Sequence, residues 1–168
     1  FTKMAYSLLA IAVVCLAVGG ALGVQFKDCG SKQGKVGSIA VPGCADTGTC
    51  DLHKGSKANI TVKFSTAEQV TKITNVVHGI LAGIPVPFPL DNPDGCKDSG
   101  LTCPLSSGGS FEYHTSIDVK TSYPSVRLVI KWEMRDQNGA DVICFEIPAQ
   151  IVSVAKKSEN AIQKSENA

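Results

Sequence analysis

The sequence predicts an all-β fold in which two antiparallel sheets pack face to face as a sandwich. Two observations carry this expectation. Apolar and polar residues alternate with period two through several separated stretches, the pattern of strands with one face on a core and the other in water. No window sustains a 3.6-residue apolar period, so no long amphipathic helix competes for the core. Cysteine usage adds that the sandwich is cross-linked, which places it in an oxidising compartment.

In chain order, the first segment reads as a targeting signal. Met4 is taken as the start and residues 4–23 as a secretory signal peptide. The stretch from Leu8 to Val18 is apolar, and Ala21-Leu22-Gly23 then forms a small-x-small cleavage pattern ahead of Val24. The apolar core is short for a membrane span, and no basic stop-transfer cluster follows it. Cys15 therefore leaves with the signal. Residues 24–154 are expected to form a single domain of ordinary size. Residues 155–168 read as a disordered polar tail in which Lys-Ser-Glu-Asn-Ala occurs at 157–161 and again at 164–168, a duplication with no physical account.

The strands follow from parity. Ala58, Ile60, Val62 and Phe64 alternate with Asn59, Thr61 and Lys63; Phe111, Tyr113, Thr115, Ile117 and Val119 alternate with Glu112, His114, Ser116 and Asp118. Val126, Leu128, Ile130, Trp132 and Met134 alternate with Arg127, Lys131, Glu133 and Arg135, interrupted by Val129. Asp136-Gln137-Asn138-Gly139 is a hairpin signal leading into a final strand from about Asp141 to Val154. Lys35–Val41 and Thr71–Val77 are further strand candidates. Asn59-Ile60-Thr61 is the only N-glycosylation sequon and puts Asn59 on the polar face of its strand.

The segment Ile84-Pro85-Val86-Pro87-Phe88-Pro89-Leu90 has a stronger constraint. Residues two apart in an extended chain point their N–H groups to the same side, so prolines 85, 87 and 89 strip every donor from one edge. The segment must then be an edge strand or an extended border. Val86, Phe88 and Leu90 share one face, an apolar row beside a gap in backbone pairing and a natural mouth for an apolar pocket.

Six cysteines remain after processing. Cys44 and Cys50 bracket one turn-rich interval and Cys96 and Cys103 another, so each pair most simply closes on itself, leaving Cys29 with Cys144. By chain entropy the long cross-link contributes about 5 kcal/mol and each short one about 2 kcal/mol. Zinc is disfavoured, since there is neither a Cys-x2-Cys spacing nor a histidine cluster. Net charge is +1, with no basic run interleaved with aromatics, which argues against a nucleic-acid partner. There is no Gly-x-Ser-x-Gly elbow, phosphate loop or His-Glu-x-x-His motif. His53, His78 and His114 are scattered, and a solvated face accounts for the carboxylates. The expectation is a binding protein without catalytic residues, metal or cofactor.

Several stretches together carry a resemblance: Val24-Gln25-Phe26-Lys27-Asp28-Cys29-Gly30, His78–Leu90, Asp94-Gly95-Cys96 through Cys103-Pro104, Tyr123-Pro124-Ser125, and Cys144-Phe145-Glu146-Ile147-Pro148. In collinear order from Val24 to Val154 they resemble the Niemann-Pick type C2 sterol carriers, or epididymal secretory proteins, of the MD-2-related lipid-recognition (ML) family. The resemblance implies an immunoglobulin-like β-sandwich with an apolar pocket between its sheets, and the cysteine pairing given above. It implies transfer of unesterified cholesterol, held with the apolar end inward and the hydroxyl near the mouth. Pocket positions of the family fall on Val86, Phe88, Val119, Tyr123, Pro124 and Trp132, and Phe145 stands where a second pocket tryptophan often sits. The turn Ile80-Leu81-Ala82-Gly83-Ile84 matches the family's membrane- and partner-facing knob, with Ala82 in place of a larger methionine.

The expected function is therefore a monomeric carrier of cholesterol or a related sterol, secreted or in the endolysosomal lumen. It would touch membranes transiently and hand cargo to a membrane-bound receptor. A sterol of ~28 heavy atoms at about −0.3 kcal/mol per atom would bind with a roughly micromolar Kd. Two alternatives differ in kind. A carrier of fatty acids or hydrophobic semiochemicals keeps the fold and changes the ligand. An innate-immune lipid-recognition module predicts a basic rim at the pocket mouth.

Overall fold

The computed structural model describes residues 23–44 and 48–153. The signal peptide up to residue 22, with Cys15, and the polar tail lie outside the described residues. Nine strands follow in order: β1 (Lys27–Asp28), β2 (Gly34–Ala40), β3 (Cys50–His53), β4 (Ser56–Thr66), β5 (Thr74–Leu81), β6 (Ile84–Phe88), β7 (Ser110–Val119), β8 (Arg127–Arg135) and β9 (Asp141–Val152). One sheet runs β1-β9-β8-β5-β6 with β3 also alongside β9, and the other runs β2-β4-β7. Every pairing is antiparallel except that of β3 with β9.

Parity placed the strands that carry it. In β4, Ile60, Val62 and Phe64 are buried while Asn59 and Lys63 are exposed. Across the sandwich, Trp132, Met134, Ile143 and Phe145 are fully or almost fully buried, and these two inner faces make one core. Between β8 and β9, Asp136 Oδ1 accepts backbone N–H bonds from Asn138 and Ala140, both at 2.8 Å, and Gly139 takes a φ of 80°. This is the turn its sequence signals, since Asp binds its own backbone two residues on and Gly accepts positive φ.

Three expectations change. The candidate Thr71–Val77 becomes β5 from Thr74 to Leu81, because the inward series Val77, Gly79, Leu81 has a glycine at its centre and the parity disappears there. The strand β3 was not anticipated, since Cys50-Asp51-Leu52-His53 is too short to show alternation and forms by lying parallel to the end of β9. A solvated face does not account for every carboxylate: Glu133 and Asp136 are buried, at 5% and 4% exposure. Glu133 projects from β8 on the side opposite Trp132, where Lys131 Nζ at 3.0 Å and Arg135 Nη2 at 3.2 Å cover and pair it.

The proline-blocked segment is an edge strand, as its missing donors require. β6 ends the large sheet and pairs only with β5, in the register Val77↔Phe88, Gly79↔Val86 and Leu81↔Ile84. Leu90 lies beyond the strand, half-buried against the core. A two-residue turn, Ala82-Gly83, joins β5 to β6 with φ of 49° and 84°. Positive φ at both positions is the primed geometry that matches strand twist, and alanine is an uncommon residue to adopt it.

Disulfides join Cys29 to Cys144, Cys44 to Cys50 and Cys96 to Cys103, the pairing deduced from the spacing. The first ties the β1 edge to β9 across 115 residues of sequence. The second ties the chain entering β3 to its first residue.

Candidate functional site

The inward positions of the large sheet fall into registered rows. The first row is Phe88, Val77, Trp132 and Phe145, one residue from each of β6, β5, β8 and β9, and it runs from the half-buried edge strand to the buried floor. The next row, nearer the turn between β5 and β6, is Val86, Gly79, Ile130 and Ile147. Leu81 from β5 and Leu128 from β8 continue the same faces outward. Ala58 and Ile60 from β4 and Ile117 and Val119 from β7 face them from the small sheet. Between the two walls lies a cavity of about 210 Å³. Its lining is almost wholly apolar; among the described lining residues, His78, Asp118 and Tyr123 bring polar groups and none is Lys or Arg.

All seven sequence-nominated pocket residues meet at this cavity: Val86, Phe88, Val119, Tyr123, Pro124, Trp132 and Phe145. They come from β6, β7, the β7–β8 loop, β8 and β9, so no local stretch contains the site. Trp132 was nominated by the family resemblance, and the alternation that puts Leu128 and Ile130 on its face of the strand places them on the lining as well. Leu52 was not legible in the sequence, because its strand had no pattern of its own. Gly79 was missed because it has no side chain to carry a signal.

The two ends of the cavity are built differently. At the inner end Trp132 is 1% exposed and stacks on Phe145, with centroids 6.2 Å apart and rings 8° from parallel. Tyr113 meets the indole edge-on at 6.3 Å. The indole Nε1–H donates to Asn75 Oδ1 at 3.0 Å, and Asn75 Nδ2 lies 3.0 Å from Tyr113 Oη and 3.4 Å from Pro93 O. Burial pushes the Tyr113 phenol up from its ordinary pKa, against the pull of its bonds to Thr115 and Asn75. Each polar group in this apolar environment has a partner, so the floor is fixed by directional bonds as well as packing.

The mouth has no such bonds among its aromatics. Phe88 and Tyr123 are half-buried and meet edge to face at 6.2 Å. Tyr123 sits in a turn whose backbone N–H bonds to Lys120 O at 3.2 Å, and Pro124 is exposed beside it. Asp118 is paired outward with Lys57 at 2.9 Å. Beyond the mouth stands the β5–β6 hairpin. Ile80 and Leu81 are half-buried, Ala82, Gly83 and Ile84 are exposed, and of the five only Leu81 also lines the cavity. Ile84 at 66% and Val86 at 44% are the exposed large apolar residues of the described chain. Asn59 is exposed on the outer face of β4.

One acidic cluster lies away from this cavity. Glu133, Asp141 and the Cys144 sulfur approach within 4.8 Å of one another. The Cys144 sulfur is bonded to Cys29 and is no thiolate, and Glu133 is held by Lys131 and Arg135. The cluster is an ion-pair network over the cross-link rather than a set of metal ligands.

Comparison with known proteins agrees with this architecture. The ML domain model matches residues 23–151. The NPC intracellular cholesterol transporter 2 homolog a of Drosophila melanogaster is 44% identical over 147 residues, spanning 87% of this chain and 97% of that protein. The NPC intracellular cholesterol transporter 2 of Mus musculus is 41% identical over 150 residues, spanning 89% and 98%. Among solved structures, a Niemann-Pick type C2 protein from the Japanese carpenter ant superposes with a TM-score of 0.74 at 34% identity, covering 76% of this chain and 99% of that one. The rows of apolar residues between two sheets, the three disulfides and these matches lead to one conclusion: the chain belongs to the ML domain family.

Proposed function

We propose that this protein binds cholesterol or a closely related sterol in the cavity between its sheets and carries it between membranes. The observation that carries the reading is a cavity with a rigid aromatic floor, an apolar lining and a single phenol at a mouth closed only by apolar contacts. A sterol is a rigid apolar body with one hydroxyl, and it fits with its tail on Trp132 and Phe145 and its hydroxyl beside Tyr123. The names of the fruit-fly and mouse relatives support a cholesterol-transporting role. No lysine or arginine lines the cavity among the described residues, which disfavours recognition of an anionic lipid A headgroup.

At about 210 Å³ the cavity is smaller than the 300–1,000 Å³ usual for enclosed ligands of drug size. Entry therefore requires the walls to part, and the mouth side is the one that yields. β6 has a partner on one side only and prolines on the other, and Phe88 and Tyr123 hold each other without a hydrogen bond. The exposed Ile84 and Val86 then place an apolar tip against a bilayer or a membrane-bound receptor while cargo passes. The disulfides suit a secreted or endolysosomal monomer, and the role is transfer rather than catalysis.

The deciding experiment displaces a fluorescent sterol from the protein beginning at Val24, with cholesterol against oleic acid, at pH 5 and pH 7. Displacement by cholesterol at about micromolar concentration supports the sterol reading. Displacement by oleic acid alone moves the protein to fatty-acid or semiochemical transport on the same fold. Absence of sterol binding at both pH values rejects it.

A further inference from the structure

We propose that Gly79 is the specificity-determining position of the cavity wall, a notch that admits a rigid fused-ring ligand and whose filling would leave flexible acyl chains as the preferred cargo. The inference rests on the sterol-binding reading above and adds the residue that discriminates between ligand shapes.

Gly79 stands where a side chain is expected. It is in the interior of β5, flanked by Val86 of β6 and Ile130 of β8, and its neighbours along the inward face are Val77 and Leu81. Each of these four side chains lines the cavity. Glycine weakens a strand interior, through backbone entropy and the lost packing of a side chain. Two ordinary reasons for accepting that penalty are absent. The φ of Gly79 lies outside the left-handed region, so the backbone accepts an L residue, and no backbone atom approaches the space a Cβ would take. The one near atom is Leu128 Cδ1 at 3.2 Å, the tip of another lining side chain that leans toward the gap.

The missing side chain therefore leaves room in the cavity wall that only another lining side chain, Leu128, reaches into. That room lies one row nearer the β5–β6 turn than Phe88, Val77, Trp132 and Phe145, in a stretch of wall that a ligand filling the cavity lies against. Fused saturated rings are broad, carry methyl groups on one face and cannot bend around an obstruction. An acyl chain is one methylene wide and changes path by bond rotation. A branched side chain at position 79 would obstruct the first and be skirted by the second.

The test compares wild type, Gly79→Ala and Gly79→Val for binding of a fluorescent sterol and of a fluorescent single-chain fatty acid, with thermal melts of each protein. Valine suits a strand, so Gly79→Val is expected to melt no lower than wild type. Its sterol affinity is expected to fall by about tenfold or more and its fatty-acid affinity by less than about threefold, with Gly79→Ala between. Leu128→Ala in the Gly79→Val background vacates the space beside the new side chain and is expected to recover sterol binding. Unchanged sterol affinity in Gly79→Val, or an equal loss for both ligands, overturns the proposal while leaving the sterol reading intact. A wild-type protein that binds no sterol instead removes that reading, and the proposal with it. If Gly79→Val melts lower, the graded response of Gly79→Ala and the Leu128→Ala rescue decide between notch and misfolding.

Discussion

The Trp132 indole N–H donates to Asn75 Oδ1 at 3.0 Å, so a buried amide on β5 aims the ring that closes the inner end of the cavity. Asn75 is 3% exposed and also meets the Tyr113 hydroxyl. Replacing it with leucine keeps the branched shape, strands the indole N–H as a buried donor and takes the amide donor away from Tyr113 Oη. Asn75→Leu is expected to lose about 2–4 kcal/mol in urea unfolding. Trp132 is the single tryptophan of the chain, so a shift of its emission in the folded variant would report the loosened floor directly. Unchanged stability together with unchanged emission would show that packing alone holds the ring.

Phe88 belongs to the mouth, where it meets Tyr123 edge to face and takes no part in the buried floor. Phe88→Ala is expected to lower sterol affinity by about tenfold or more. The melting temperature should stay within a few degrees of wild type, because a half-buried edge-strand residue leaves little cavity behind. Sterol affinity equal to wild type would remove Phe88 from the site.

The hairpin tip separates into two kinds of residue. Leu81 lines the cavity as well as forming the tip, whereas Ile84 is 66% exposed and lines nothing. Ile84→Asp is therefore the cleaner probe of membrane contact. It should slow sterol transfer between vesicles by about tenfold while equilibrium affinity changes by less than about twofold. Loss of both in parallel would mean that the tip serves binding rather than delivery.

Glu133 supplies a pH signature. Burial pushes its carboxyl up, but hydrogen bonds and charge from Lys131 and Arg135 outweigh this and hold it below the ordinary value of 4.5. A depressed folded-state pKa adds stability above the unfolded value, and that stability is lost as pH falls through the folded value. The contribution is therefore intact at pH 7 and at pH 5, and disappears only from about pH 4.5 downward. Glu133→Gln should cost about 1–2 kcal/mol at pH 5 to 7 and progressively less in stronger acid. In that variant Asp141, raised by burial and by the Glu133 charge, should titrate closer to its ordinary range by NMR. A cost that does not vary with pH would locate the effect of Glu133 in packing.

Local chemistry was enough to read much of this protein from its residues. Alternation identified β4, β7 and β8, because a strand with one buried face must repeat with period two. Prolines 85, 87 and 89 made β6 an edge, because a missing donor is missing in any fold. Turn-rich intervals paired two sets of cysteines, and elimination paired Cys29 with Cys144. Tertiary structure decided what depends on register between distant segments. It laid β3 beside β9, joined Trp132 to an amide 57 residues away and buried Glu133 beneath two cations. It also aligned Gly79 with Val86 and Ile130, turning a break in the alternating pattern into a gap in a wall. A glycine is silent in a pattern of side chains and acquires a role only through the neighbours that surround it.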